Sequence, residues 1–304
     1  MRSANLPRLG LLLLVGLSFA WGINWPIMKM ALREIPPWTF RSWSCLAAGL
    51  SLLVLARASG GALRPAAGEW RRIATAALFN VSLWHVLIAY GTMMMASGHA
   101  SVLAFTMPLW AALIGMLVFG DRPSPRVVAA LALGIGGIVV LLSRDLAAVG
   151  DSPLGAGLVL AGALGWAFGT LYQKRQQWNV GTLALAGWQL SIGSIPIFVV
   201  LPFVEGIHFP EASLLAWACL AYLTFVALVF AYFAWFKIVS LFPANVAAIG
   251  TLLTPVIGVA SGAVILGEPF GWREIMALVL VGSALALVLI IPAMQPRTAG
   301  APAD

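Results

Sequence analysis

A chain of 304 residues that is 62% hydrophobic and 9% charged, with a mean hydropathy of +0.99, carries more apolar surface than a water-soluble fold can hide; soluble domains hold roughly 25% charged residues. That composition excludes a soluble domain and describes a polytopic membrane protein. The net charge of +7 raises the question of nucleic acid, which the placement of the basic residues answers below.

A bilayer core takes about 20 apolar residues to cross as a helix, and charge-free runs supply them in order. Leu9 to Met28 comes first, then the shorter Ser42 to Ala56, then a long run from Ile73 to Gly120 with a break at Ser97-Gly98. Val127 to Ser143, Ser152 to Gln173 and Gln176 to Val204 follow, the last entered after the polar Trp178-Asn179-Val180-Gly181 turn. Ala212 to Phe236, Ile238 to Gly267 after a break at Leu241-Phe242-Pro243, and Ile275 to Gln295 complete the set. The expectation is an all-α integral membrane protein of ten transmembrane helices. A barrel would show short segments alternating in polarity, which these runs do not. Arg2, Arg8 and Ser18-Phe19-Ala20 imitate a signal peptide, but the apolar run continues to about Ala31, so it is read as an uncleaved first helix.

Twelve Lys and Arg fall on the side that holds both termini and the even-numbered loops, against five (Lys29, Arg33, Arg41, Arg144, Arg273) on the other. The positive-inside rule then puts both termini in the cytoplasm, with the protein multi-pass in the cell (inner) membrane. The excess of base reports topology, and no nucleic-acid partner is needed to explain it.

Two stretches share a pattern: Pro108 to Gly120-Asp121 and Pro255 to Gly267-Glu268. At an offset of 145 residues Trp21 meets Trp166, Lys29 meets Lys174 and Trp43 meets Trp188; at 147, Ala100 meets Ala247 and Pro108 meets Pro255. Two five-helix halves follow, 1–148 and 152–296, with a cytoplasmic tail at 297–304. Five is odd, so the second half enters the membrane inverted, the arrangement many secondary transporters use to open one site to either face.

Ala100, Pro108 and Gly120-Asp121 in the first half, with Ala247, Thr254-Pro255 and Leu266-Gly267-Glu268-Pro269 in the second, resemble the ten-helix EamA-type branch of the drug/metabolite transporter superfamily, most closely its YddG-type exporters of amino acids. Asp121 departs from the more usual Glu of that family. The resemblance implies a central cavity surrounded by helices 1, 3, 4, 6, 8 and 9, with helices 5 and 10 peripheral.

Pro108 and Pro255 each lack an N–H and clash with the carbonyl four residues earlier, at Ala104 and Thr251, so each helix is expected to kink. Two readings stand open: paired hinges around a cavity, or static kinks satisfied by a neighbouring Thr106 or Thr254. Candidate substrate-binding residues near mid-depth are Trp21, Asn24 and Trp25 on one face of helix 1, His85, Ser101, Trp110, Trp166, Tyr222 and Thr251. Each Trp is either a pocket wall or a lipid-facing residue. His85 reads as the one ionisable residue well inside a span, and it either serves substrate or proton or sits neutral against a helix neighbour. Cys45 and Cys219 are single cysteines inside spans and suggest no metal site; no cofactor is expected.

Without several bases at mid-depth for a phosphate ester, and without acids inside the spans to take protons, the cargo is expected to be neutral overall and moved passively. A zwitterionic amino acid fits, with aromatic faces for its ammonium group. A carrier of other neutral metabolites or drugs, and a channel or lipid-handling protein, are the alternatives; an enzyme would need a nucleophile with its base, and His85 lacks a visible carboxylate partner. The partners expected are a small substrate and the bilayer, with the chain taken as a monomer.

Overall fold

The structure is a computed structural model that describes residues 8–120, 124–143, 153–206, 210–241 and 244–287, and not the side chains of Arg8, Phe119, Val239, Ser240 or 244–251. Asp121, most of the linker between the halves and the 297–304 tail lie outside the described residues. All regular structure described is helical: α1 (Arg8–Ala31), α2 (Pro37–Ala58), α3 (Glu69–Met94), α4 (Ser97–Val118), α5 (Pro125–Leu142), α6 (Pro153–Lys174), α7 (Thr182–Val204), α8 (Leu214–Ile238), α9 (Ala244–Leu266) and α10 (Trp272–Leu285). Helices α1 to α8 are long and apolar enough to cross a membrane; within α9, Leu252–Leu266 forms a shorter apolar helix.

Burial follows the logic of a bilayer. Leu117, Phe203, Leu214 and Val264 face outward, while Ser42, Thr92, Ser101, Thr106, Gln189 and Thr254 are buried between helices. Most polar groups within the bundle find partners there because lipid offers them nothing, with the Thr92 and Ser191 hydroxyls, the Trp25 indole and the Arg41 Nε among the exceptions in the described residues.

Several boundaries differ from those expected. Helix α2 starts at Pro37, a proline in the first turn where its missing N–H costs nothing, and so takes in Arg41, which charge counting had left outside the span. The chain turns between α3 and α4 at Met95 and Ala96, both extended, just ahead of Ser97. Two π-helical segments, invisible to hydropathy, interrupt α3 at Leu78–Leu83 and α8 at Tyr222–Phe230. They fall at matching places under the 145-residue offset.

Helix α2 packs on α7 and α5 on α10; α1 packs on α8 and α9, and α6 on α3 and α4; α2 also meets α8, and α7 meets α3. Exchanging each helix with the one five places along maps this set of pairings onto itself. Small residues let the central α2–α7 pair approach: a Cβ added at Gly49 would run into Ser191 Oγ and lie 2.7 Å from the Ser191 backbone nitrogen and 2.9 Å from the Gly187 carbonyl oxygen. Because two of those neighbours are backbone, Gly49→Leu has no rotamer that relieves the contact. It is expected to cost about 1–3 kcal/mol, the usual range for overpacking, and to lower the melting temperature and the monodisperse yield in detergent. An unchanged melting curve would mean that the α2–α7 contact is looser than described.

Candidate functional site

The repeated Pro-to-Gly stretch acquires a physical meaning at its end. Gly120 and Gly267 both take left-handed backbone, φ 72° and 65°, closing α4 and α9 as helix-terminating glycines. After Gly267 the chain delivers Glu268 to the start of α4. Its Oε1 accepts from the Ser97 N–H (2.7 Å), and its Oε2 accepts from the Ser97 hydroxyl (2.7 Å) and the Gly98 N–H (3.1 Å). Lys29, from the last turn of α1, completes the clamp with Nζ 3.1 Å from Oε1 and donates also to the Met95 carbonyl at 2.6 Å. A carboxylate here satisfies two of the N–H groups that a helix start leaves without intrahelical partners. Burial pushes the Glu268 carboxyl up, yet the Ser97 and Gly98 donors and the Lys29 ammonium outweigh it and hold the group below its ordinary 4.5.

Other carboxylates stitch the same end. Glu205 accepts from the Trp38 N–H, the Thr39 N–H and the Thr39 hydroxyl, all within 2.9 Å. Glu34 accepts from the Ser213 N–H at 2.6 Å, which, with the Ser213 hydroxyl, lowers its pKa. Beside the clamp, His99 Nε2 lies 3.0 Å from Glu274 Oε1, with both residues buried. At the opposite end Glu69 accepts from the Asn179 N–H at 2.6 Å. Asn179 stands at the repeat position of Glu34, so at this end the donor follows α6 and the carboxylate opens α3, while both carboxylates belong to the first half. Lys174, the counterpart of Lys29, is exposed.

The expected site residues divide into groups. Trp21 and Tyr222 both join α1 to α8: the Trp21 indole donates to the Ala227 carbonyl (3.1 Å), inside the π-segment, and packs at 6.0 Å on Trp235, while the Tyr222 hydroxyl donates to the Ala20 carbonyl (3.1 Å). Trp166 does the corresponding work between α6 and α3, 4.9 Å from Trp84. Trp25 is buried with an indole N–H that has no partner among the described residues, and it borders Gly258 of α9 together with Ser101, whose hydroxyl donates to the Gly98 carbonyl. Asn24 is partly buried on the same helix. His85 is buried with Nδ1 3.0 Å from the Val81 carbonyl, inside the other π-segment. Trp110 donates to the Thr106 hydroxyl at 2.9 Å, away from these. The side chain of Thr251 lies outside the described residues.

The two prolines differ from each other. Helix α4 is broken by a turn at Phe105 and Thr106, and Pro108 sits in the first turn of the segment that restarts at Met107. Pro255 lies inside α9, which runs unbroken past it.

Three features escaped the sequence reading. Arg41 and His99 are buried near the starts of α2 and α4, so His85 is not the one buried ionisable side chain in the helices. Asn80, Gln173 and Gln189, from α3, α6 and α7, form an amide cluster with separations of 3.1 to 3.3 Å. Glu268 was visible as the end of the repeated stretch, but its role as a helix cap was not. In each case the missing signal is a contact between distant helices.

The model of the EamA-like transporter family matches residues 8–143 and again 153–290. An uncharacterized transporter of Bacillus subtilis, YvbV, is 28% identical over 91% of this chain and 90% of its own. A probable amino-acid metabolite efflux pump of Escherichia coli is 27% identical, covering 87% of this chain and 89% of the pump. The E. coli inner membrane transporter YedA is 28% identical over 91% and 89%. One crystal structure superposes with a TM-score of 0.63 at 20% identity, over 89% of this chain and 94% of that one.

Proposed function

The chain belongs to the EamA-like transporter family, and from that premise we propose that it is a secondary exporter of small neutral metabolites, foremost amino acids with the aromatic ones included. Its ten helices act as two inverted five-helix repeats, 1–148 and 152–296, that open one central site alternately to either face of the inner membrane, with both termini cytoplasmic. The observation that carries this reading is the unequal state of the two repeat-related ends. Lys29 is clamped to Glu268 at one end while its counterpart Lys174 is exposed at the other. The self-consistent helix pairings and the coincident π-segments, features often found at functional sites, support the duplicated architecture. The efflux pump among the relatives supports the substrate class.

Trp21, Asn24, Trp25, His85, Ser101, Trp110, Trp166, Tyr222 and Thr251 are proposed to contribute to substrate passage, with Pro108 and Pro255 as hinges. Within that set Trp21, Trp166 and Tyr222 act as aromatic staples at the α1–α8 and α6–α3 seams, whereas Trp25 keeps a free donor. Transport runs down the cargo's own gradient.

The test is counterflow in liposomes containing the purified chain. Labelled tryptophan or phenylalanine should accumulate transiently against excess unlabelled amino acid inside, with saturation. Non-saturating flux would indicate a channel, and no flux of any amino acid would remove the substrate class. Accumulation driven by an imposed pH gradient would move attention to the His99–Glu274 pair and overturn passive transport.

A further inference from the structure

Arg41, on α2, is 5% exposed, and its Nε has no hydrogen-bond partner among the described residues. The guanidinium touches the Met28 sulfur through Nη2, the Phe40 ring lies 4.8 Å from Cζ, and His85 is within its electrostatic reach. No oxygen accepts from it among the described residues. Guanidinium stays charged under all ordinary conditions, and an ion taken out of water without a counter-charge costs several kcal/mol.

Every glutamate near enough to matter is committed elsewhere. Glu205, close by at the start of α2, uses its oxygens on Trp38 and Thr39; Glu34 is held by Ser213; Glu69 serves Ala66 and Asn179; Glu268 serves Lys29, Ser97 and Gly98; Glu274 serves His99 and Gly271. Glu211 is exposed. Lys29, one residue from Met28, already has its carboxylate. A buried fork of donors in an apolar setting, with a thioether in place of an acceptor, fits a counter-ion that arrives and leaves.

We infer that Arg41 is a carboxylate-binding residue, and that the group it takes is the carboxylate of the transported molecule. The planar fork matches a carboxylate with two parallel N–H donors. Met28 and Phe40 beside it favour a carboxylate attached to an apolar body. This rests on the carrier reading and refines it: the negative end of a zwitterion goes to Arg41.

The full-length chain in detergent, titrated with L-tryptophan, tryptamine and indole-3-propionate and followed by calorimetry and thermal unfolding, tests it. Wild type should bind tryptophan and indole-3-propionate at least about tenfold more tightly than tryptamine, which lacks the carboxylate. Arg41→Gln should bring that ratio to about one, and Arg41→Lys should leave an intermediate ratio. If Arg41→Gln does not fold, Met28→Glu remains: a resident carboxylate against the guanidinium should abolish the preference and raise the melting temperature. A preference that survives Arg41→Gln or Met28→Glu overturns the inference, as does equal protection by chloride alone. Binding of indole-3-propionate that Met28→Glu abolishes, without any binding of tryptophan, would keep the Arg41 site and sink the amino-acid reading. Tryptophan binding of equal strength in wild type and Arg41→Gln would do the reverse.

Discussion

Replacing Glu268 with Ala should open the clamped end and shift the proposed balance between two access states more than any other single substitution. The carboxylate joins three helices at once: it ends α9, caps α4 through Ser97 and Gly98, and holds α1 through Lys29. The ion pair is largely shielded, with Glu268 9% and Lys29 22% exposed, so it is not a surface pair that water would replace at no cost. Hydrogen bonds to charged groups contribute about 1.5–3 kcal/mol each, and losing two of them costs about 3 kcal/mol, more than a hundredfold in an equilibrium between clamped and open ends. A single cysteine at Ala96, in a chain with Cys45 and Cys219 replaced by Ala, should become readily labelled in Glu268→Ala and stay protected otherwise. Acid should do the same to the wild type. The Glu268 pKa is depressed when the clamp is closed, so the stabilisation is present above the ordinary 4.5 and is lost as pH falls through the lower, clamped value. Lys174→Ala, at the exposed counterpart, should leave Ala96→Cys labelling low. Protection that persists in Glu268→Ala down to low pH would show that the clamp does not hold that end shut.

Much of this fold is legible in the sequence because the bilayer imposes long apolar runs, and because duplication writes its signals twice. The Gly120 and Gly267 terminators, the Trp21 and Trp166 seam residues and the breaks around Ser97 and Gly181 all appear as local chemistry at fixed spacing. The site is less legible. A π-segment changes no composition, so nothing marked Leu78–Leu83 or Tyr222–Phe230. Charge counting ends a span at the first base and so leaves Arg41 outside it, whereas a proline-initiated α2 carries it inside. Nothing local marks Glu274 or His99, and only their 3.0 Å approach across 175 residues makes them a buried pair.

Pro255→Ala should shift the proposed access equilibrium strongly and Pro108→Ala weakly, in the opposite direction. In α9 the helix is continuous, so an alanine N–H at 255 recovers the bond to the Thr251 carbonyl and removes the ring clash, about 3 kcal/mol in backbone terms. Straightening α9 there has a consequence for α1. Gly22 faces this turn so closely that an added Cβ would lie 2.4 Å from Ile257 and 3.3 Å from the Thr254 carbonyl oxygen, and even a small change in the path of α9 must move α1 and, with it, Lys29. In α4 the break is held by more than the proline. The Phe105 N–H reaches the Ser101 carbonyl, the Thr106 N–H reaches the Leu103 carbonyl, and the Thr106 hydroxyl donates to that same carbonyl while accepting from the Trp110 indole. An alanine at 108 leaves those bonds in place and stays within a first turn, where an N–H has no intrahelical partner to gain. Only Pro108→Ala combined with Thr106→Val should let α4 rejoin, and that pair should then match Pro255→Ala in size with opposite sign. A shift of about 1.4 kcal/mol between the two access states already changes their ratio tenfold, so cysteines near each mouth will register even the smaller effect. If Pro255→Ala and the Thr106/Pro108 double variant expose the same end, or neither changes labelling, the prolines shape the helices without moving them.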